Sequence, residues 1–329
     1  MNKKLTTIAI ISTLAAIIGM IVAVSFGAKI IPLNTVFDSF FNFDETSIDM
    51  QLVRNMRFPR ALATFMVGGL LAICGAMMQG VTRNPIAEPT LMGISQGATF
   101  AVALSTSSLT FFGQLGLTNS ISALIGAFIS GSLVIAFSMK NARNMNISRL
   151  LLAGTALSTL FLSLSTITAL LSGQSQQLAF WISGGFRSTT WETLKILMPI
   201  GIVCTIYTFV LAPKINIVNL GEDICIGLGE DPVKIRFKTL LLIIPICAIC
   251  VSTAGNVAFV GLIVPYIVRK ILGQDYRYII PISFLVGASL LVWADVFARL
   301  INQPYETPIG LFTSIIGVPL FLYMIRKEN

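Results

Sequence analysis

The chain reads RFPR at residues 57–60, then an uncharged stretch ALATFMVGGLLAICGAMMQGVT at 61–82, then RNPIAEP at 83–89. A helix of about 20 apolar residues crosses a bilayer, so this stretch predicts a transmembrane span from about 60 to 80. Arginines stand at one end of the span, and a polar loop broken by two prolines stands at the other. Such arginines can bind the carboxylates of a partner, and the loop is rigid enough to act as a joint. This arrangement suits a transport subunit better than an enzyme.

The composition is that of an integral membrane protein. Of the 329 residues, 55% are hydrophobic and only 11% are charged, whereas soluble domains carry about 25% charged residues. The five cysteines and the absence of histidine predict neither a disulfide framework nor a metal site. The net charge of +8 lies in short loops and forms no basic stripe, so we expect no nucleic-acid partner. The fold class predicted from composition is an all-α polytopic membrane protein.

Hydropathy, with polar and proline breaks, predicts ten spans in a single transmembrane domain over residues 1–329. The spans are approximately 5–28, 60–80, 91–110, 118–139, 149–171, 191–211, 239–255, 257–271, 279–300 and 309–325. The seventh and eighth spans flank Gly255-Asn256. The alternative there is one broken span, which would place the two termini on opposite sides of the membrane.

The distribution of positive charge predicts the orientation. With ten spans and an internal N-terminus, the inner segments hold 15 of the 22 Lys and Arg residues. The positive-inside rule therefore predicts that both termini are cytoplasmic. Three of the seven outer positives are Arg54, Arg57 and Arg60, and this local excess on the wrong side indicates a function for them.

Small residues recur every four positions in the second span, at Gly68, Ala72, Ala76 and Gly80. Small side chains let helix backbones approach closely in lipid. The pattern predicts a tightly packed helix at the centre of the bundle and indicates nothing about the solute.

The fifth span carries hydroxyl side chains on roughly one helical face: Thr155, Ser158, Thr159, Ser163 and Thr166. These hydroxyls either bond to carbonyls of their own helix or line a neutral pathway for a bulky solute. Carboxylates are nearly absent at mid-depth, which weighs against a proton- or sodium-driven carrier.

The ninth span contains Asp295 and Arg299 at i, i+4 spacing, so the two side chains can pair along one helical face. The pair either has a structural role only or holds Arg299 toward the outer end of the bundle, near Arg57 and Arg60. We favour the second alternative, because Arg299 would be a third guanidinium on that side.

The inner segment 213–238 is the longest cytoplasmic segment. Asn219 is predicted to cap a short helix with Glu222 at its third position, and Gly227 and Gly229 to end it. Asp231-Pro232 then begins the next helix. The segment would expose Ile224, Ile226 and Leu228 as a docking element for another protein, the alternative being an amphipathic loop without a partner.

Catalytic motifs are missing from the sequence. There is no GxxxxGK[ST] phosphate loop and no Ser/His/Asp or Cys/His set. We therefore expect the chain to hydrolyse no ATP and to bind no cofactor itself, so that uphill transport would need a partner or an ion gradient.

Eleven short stretches together resemble the FecCD-type permease subunits of ABC importers for iron–siderophores, haem and cobalamin, over nearly the whole length. They are Arg57-Phe-Pro-Arg60, Gly75-Ala-Met-Met-Gln79, Asn84-Pro-Ile-Ala-Glu88-Pro, Gly93-Ile-Ser-Gln-Gly97-Ala, Leu151-Leu-Ala-Gly154, Trp181-Ile-Ser-Gly-Gly185, Leu220-Gly-Glu222, Leu228-Gly229, Gly255-Asn-Val-Ala-Phe-Val-Gly261-Leu-Ile-Val-Pro265, Ala294-Asp-Val-Phe-Ala-Arg299 and Pro308-Ile-Gly310. Each stretch is unspecific alone, but their order and spacing are specific.

The resemblance implies the type II ABC importer permease fold, in a bacterial cytoplasmic membrane. The implied partners are a second permease subunit, identical or related, two cytoplasmic ATPase subunits that use ATP and Mg²⁺, and an external solute-binding protein. Membrane lipid surrounds the assembly, and the implied ligand is an iron–siderophore. Haem or cobalamin as the solute remains an alternative within the family, and an ion-coupled secondary transporter is the alternative from another class.

The resemblance also implies roles for individual residues. Docking of the binding protein falls to Arg57, Arg60 and Arg299, with Arg54 one turn earlier adding to them or replacing one. Coupling to the ATPase falls to Leu220, Gly221, Glu222, Asp223, Ile224, Leu228 and Gly229. The inner gate is implied at Asn84, Ile86, Ile147 and Ser148, and the hydroxyl face of the fifth span would line the pathway. The sequence departs from the family at Tyr266 and Tyr276, where histidine is frequent, so tyrosine would have to supply any hydrogen bond there.

Overall fold

The computed structural model describes residues 3–89, 93–107, 111–114, 117–141, 144–145, 147–303 and 305–328. Within them the regular secondary structure is helical, apart from one short antiparallel hairpin, β1 (Met139–Asn141) and β2 (Asn144–Met145). The helices are α1 (Lys3–Ser25), α2 (Leu33–Phe41), α3 (Ile48–Leu52), α4 (Phe58–Thr82), α5 (Ile94–Thr106), α6 (Phe111–Gln114), α7 (Asn119–Ser138), α8 (Ile147–Leu171), α9 (Ser175–Ser183), α10 (Trp191–Leu220), α11 (Glu222–Gly227), α12 (Pro232–Ala254), α13 (Val260–Leu272), α14 (Tyr276–Leu300) and α15 (Ile309–Glu328). A π-helical turn, Val53–Arg57, joins α3 to α4.

Helix α4 lies at the centre of the bundle and packs against α1, α10, α12, α13 and α14. Its glycines carry the closest approaches: Gly68 contacts the backbone of Gly287 in α14, and Gly75 contacts the backbone of Gly261 in α13. Because lipid gives helices no hydrophobic reason to associate, such close packing supplies much of their attraction. The central position predicted from the small-residue pattern is confirmed.

A helix lies over each of the ten predicted spans, but the helices differ in length. Seven of those described are long and apolar enough to cross a membrane alone. Helices α5 and α13 have 13 residues each, which is about 20 Å at 1.5 Å per residue and shorter than the hydrocarbon core of about 30 Å. Helix α5 begins only after Gly93, whose φ is 68°, and α13 begins only after the break at residues 255–259.

Helices α12 and α13 run in opposite directions. Arg236, near the start of α12, contacts Val81 at the end of α4. Arg269, near the end of α13, lines a cavity together with Arg83, which follows α4. The chain thus returns to the face where α12 began, so α12 and α13 are two helices separated by the break at 255–259.

The segment 213–238 differs from its prediction at its first helix. Helix α10 continues through Pro213 to Leu220, nine residues beyond the predicted end of the sixth span at 211. Asn219 therefore lies in the last turn of α10, where its amide contacts Gln274 at 3.4 Å, and its predicted capping role is wrong. The cap at Asp231 is confirmed, since its carboxylate accepts from the N–H groups of Val233 and Lys234 at 3.0 and 3.2 Å.

Replacement of Gly75 by Ala is expected to destabilise the protein, because the new Cβ would meet the carbonyl oxygen of Gly261. Overpacking costs about 1–3 kcal/mol, and we expect a loss near the upper limit because the opposing atoms are backbone. Thermal unfolding of the purified protein in detergent measures the loss. Gly185→Ala is the matched control, since nothing lies within 4 Å of a Cβ added there. Equal melting temperatures for the two variants would contradict the central packing of α4.

Candidate functional site

Three of the predicted docking arginines meet at the end of the bundle where α4 begins. Arg57, Arg60 and Arg299 line one cavity of about 230 Å³, together with Arg187 and Glu306. The three docking candidates come from the π-helical turn before α4, the start of α4 and the end of α14, and α4 and α14 are antiparallel neighbours. We call the five residues the outer charge cluster, after the side of the membrane that the sequence predicts for them.

Arg60 lies between two carboxylates, that of Glu306 in the outer charge cluster and that of Asp295 beside it. Its guanidinium contacts Asp295 at 2.9 Å and Glu306 at 2.6 Å. Asp295 also pairs with Arg299 at 3.1 Å, so the i, i+4 pairing predicted along this helix is confirmed. Three arginines facing two carboxylates leave the centre of the cluster positive, and the half-exposed Arg187 adds a weaker contact to Glu306 at 3.5 Å.

Arg57 and Arg299 bind the C-terminal end of α1. Arg57 donates to the carbonyls of Val24 and Ser25 at 3.0 and 2.8 Å, and Arg299 donates to those of Ala23 and Phe26 at 3.0 and 3.3 Å. The last carbonyls of a helix have no partner within the helix, and a cation also complements the negative end of the helix dipole. Both arginines are buried, so their guanidinium groups are occupied from inside the protein.

Arg54 is the docking candidate whose side chain is exposed. Its guanidinium stacks over the ring of Phe43 at 4.5 Å, and its carbonyl accepts from the indole N–H of Trp191 at 2.9 Å. Arg54 and Arg57 both belong to the π-helical turn between α3 and α4, but the side chain of Arg54 is exposed and that of Arg57 is buried. A docking role for the four arginines stays a prediction.

The predicted inner gate follows the end of α4. The Asn84 side chain accepts from the backbone N–H of Ile86 at 3.0 Å, which makes residues 84–86 a tight Asx turn. Ser148 lies in the first turn of α8 with an exposed side chain, while the side chain of Ile147 falls outside the described part of the structure. The gating role of these four residues stays a prediction.

Glu88 is a site residue that the sequence reasoning missed. Its carboxylate accepts from the backbone N–H of Phe259 at 2.8 Å, directly before α13. Nearby, the Gln79 amide donates to the carbonyl of Leu262 at 3.0 Å. These contacts tie the end of α4 and the loop after it to the beginning of α13. The signal in the sequence was a single carboxylate among apolar residues, where a negative charge favours a helix N-terminus.

Residues 220–229, predicted to couple to an ATPase and called the coupling segment below, present an apolar surface on the same side of the bundle as residues 84–86 of the predicted gate. Leu220, Ile224, Ile226 and Leu228 are all more than half exposed, and the exposure predicted for the last three is confirmed. The opposite side of α11 is anchored, because the fully buried Cys225 packs against Val218 and Ile235. The segment therefore exposes apolar side chains on one side and is packed against α10 and α12 on the other.

The hydroxyl face of α8 satisfies its own donors. Thr155, Ser158, Thr159, Ser163 and Thr166 each donate to a carbonyl three or four residues earlier. Bonding within the helix is therefore observed, and these bonds are compatible with both alternatives. Four of the five side chains are exposed and Ser158 is half-buried, and a pathway-lining role stays a prediction.

The two family positions that carry tyrosine lie in different surroundings. Tyr276 is buried at the start of α14, and its backbone N–H donates to Asn216 at 2.7 Å. Tyr266 lies 5.9 Å from the Lys270 ammonium, on the wall of the cavity beside Arg83. Next to Tyr276, partial burial opposes ionisation of Asp275, but hydrogen bonds from Asn216 and from the Arg277 backbone outweigh it and lower the pKa of that carboxyl.

Comparison with known proteins gives a consistent result. The model of the FecCD transport family matches residues 15–327. The chain is 38% identical over 312 residues to the iron(3+)-hydroxamate import system permease protein FhuB of Bacillus subtilis (strain 168), covering 95% of this chain and 81% of that protein. It is 35% identical over 329 residues to the iron-uptake system permease protein FeuB of the same organism, covering 100% and 98%. Identity to the Fe(3+) dicitrate transport system permease protein FecC of Escherichia coli (strain K12) is 35% over 279 residues, covering 84% of each.

The fold agrees with that of a solved structure over the same length. A protein described as a metal-chelate type ABC transporter in an inward-facing conformation matches with a TM-score of 0.83 at 26% identity, covering 98% of this chain and 99% of that one. The predicted all-helical permease fold is therefore confirmed. Because the family model extends over nearly the whole chain, this multi-pass membrane protein belongs to the FecCD transport family.

Proposed function

We propose that this chain is the membrane-spanning permease subunit of an ABC importer that carries a ferric siderophore across a bacterial cytoplasmic membrane. The observation that carries the proposal is the family match over residues 15–327, joined to relatives named for iron-hydroxamate and iron-dicitrate import. Two ATPase subunits would supply the energy, and an external binding protein would deliver the ferric siderophore. A second permease subunit would complete the pathway, and both termini would be cytoplasmic.

The coupling segment supports contact with an ATPase subunit. Exposed Leu220, Ile224, Ile226 and Leu228 form an apolar projection, and such a surface on a soluble face of a protein indicates an interaction site. The packed base of α11 would transmit a push from the ATPase to α10 and α12, since Val218 and Ile235 belong to those helices.

The outer charge cluster supports contact with carboxylates of a binding protein. Arg54 and Arg187 are exposed at this end, and the buried arginines behind them add positive potential. Within the cluster, Glu306 is more exposed than Asp295, with 29% against 3% of its side chain accessible. A carboxylate from a partner would therefore compete with Glu306 for Arg60 and leave the buried Asp295 pair in place.

The hydroxyl face of α8 supports weak binding of the solute. Its hydroxyl protons are used within the helix, so the face offers oxygen lone pairs and apolar surface but no ionic contact. A conduit has to release what it admits, and a neutral wall of this kind suits a bulky chelate.

Reconstitution tests the proposed function directly. Proteoliposomes with the chain, its ATPase partner and its binding protein are expected to accumulate radioiron-labelled ferric hydroxamate when ATP is supplied, and vesicles with the chain alone are expected to accumulate none. Labelled ferric catecholate, haem and cobalamin are measured in parallel. Uptake restricted to haem or cobalamin would overturn the siderophore assignment. Accumulation by the chain alone under an ion gradient would show a secondary transporter instead.

Arg54→Glu is expected to weaken capture of the binding protein while leaving thermal stability unchanged, because its side chain is exposed and only stacks on Phe43. One solvated ion pair contributes up to about 1 kcal/mol, or about fivefold in Kd, and charge reversal adds repulsion. Titration of labelled binding protein against the complex in nanodiscs measures the change.

Arg57→Gln is the contrasting variant, because it removes donors from the carbonyls of Val24 and Ser25. Charge-assisted hydrogen bonds of this kind are worth about 2 kcal/mol, so its thermal unfolding temperature should fall. Wild-type affinity of Arg54→Glu for the binding protein would contradict a docking role for that residue.

A further inference from the structure

Arg236 joins three helices at the inner end of the bundle. It belongs to the second turn of α12 and is 4% exposed. Its Nη1 donates to the Glu222 carboxylate of α11 at 2.7 Å, and its Nε donates to the Val81 carbonyl of α4 at 3.1 Å. One buried guanidinium therefore contacts both the coupling segment and the central helix.

The contact with α4 satisfies a helix end. Val81 lies in the last turn of α4, where carbonyls have no partner within the helix and the helix dipole favours a cation. Immediately afterwards, Arg83 adopts a left-handed conformation with φ 52°, and its guanidinium lies 3.9 Å from Glu222. Glu222 thus faces Arg236 and the residue that begins the loop of the predicted inner gate.

Helix α11 cannot be displaced without also moving the residues that it contacts. Cys225 packs against Val218 and Ile235, and Lys214 of α10 pairs with Glu230 at 3.1 Å. A displacement of α11 carries Glu222 with it, and Glu222 is held by Arg236 to the end of α4. The mechanical path from the exposed apolar surface to the gate loop consists of packed side chains and short ionic contacts.

We propose that Arg236 is a positioning residue that transmits displacement of α11 to the inner end of α4 and to residues 84–88. The inference rests on the proposed function, because it assigns a coupling role within an ATP-driven importer. Lysine would substitute poorly, since one ammonium lacks the fork of donors with which a guanidinium contacts two acceptors on different helices.

The test separates coupling from assembly. The complex with its ATPase partner and binding protein is reconstituted in vesicles, and ATP hydrolysis and uptake are measured together. The solute is whichever of ferric hydroxamate, ferric catecholate, haem and cobalamin the wild-type complex accumulates fastest. Arg236→Gln is expected to retain ATP hydrolysis while uptake per ATP falls about tenfold, within the range known for residues that carry coupling. Arg236→Lys should lie between the variant and the wild type.

Glu222→Gln provides a second variant whose folding is less at risk, because that side chain is 51% exposed and glutamine keeps an acceptor for Arg236. It should lower the uptake-to-ATP ratio in the same direction, and the double variant should lose no more than Arg236→Gln alone. Lys234→Gln is the matched control, since Lys234 lies two residues away and its ion pair is with exposed Asp231; its ratio should equal that of the wild type.

The outcomes are distinct. A wild-type ratio in assembled Arg236→Gln overturns the inference, as does a proportional loss of hydrolysis and uptake, which indicates a structural role only. If Arg236→Gln does not assemble, a wild-type ratio in Glu222→Gln overturns it. A wild-type complex that takes up no solute with ATP overturns the proposed function instead.

Discussion

Backbone groups at a helix end have no partner inside the helix, and lipid offers none. In this protein charged side chains satisfy several such helix ends. Arg57 and Arg299 bind the last carbonyls of α1, Arg236 binds the last turn of α4, and Glu88 accepts from the N–H group before α13. These charged side chains therefore satisfy backbone groups at helix ends, and any role toward a partner would be additional to that structural role.

Helix α4 links the two ends of the bundle rigidly. Glycine contacts bring its backbone against α13 and α14, so it cannot shift without moving them. At its N-terminal end Arg60 is paired with Asp295 of α14, and at its C-terminal end Arg236 attaches it to α12. Interiors packed this closely do not deform gradually. A displacement of α11 would therefore be shared by a packed body that extends along α4 as far as Arg60.

Patterns among residues close together in the sequence predicted the features that depend on local interactions. Hydropathy located a helix over each of the ten predicted spans, i, i+4 spacing predicted the Asp295–Arg299 pair, and the capping rule predicted Asp231. The contacts of Arg236 could not be predicted, because Val81 lies 155 residues away in the chain and no periodicity relates them. The same holds for Arg299 and α1. Asn219 misled the prediction because α10 continues through Pro213, where tertiary packing overrides a residue that usually ends helices.

The contacts within this chain distinguish poorly between possible solutes of the proposed importer. Relatives named for hydroxamate, citrate and dicitrate match the chain at similar identity, between 33% and 38%. The frame of this chain is built by contacts within the protein, those of the α4 glycines and of the arginines at its two ends, and such contacts would serve any cargo equally. The hydroxyl face of α8, whose protons are bound within the helix, offers few contacts that distinguish one chelate from another. If α8 lines the pathway, as the proposed function requires, selectivity would come from groups outside this frame, because a wall without unsatisfied donors or charges discriminates weakly between solutes of similar size.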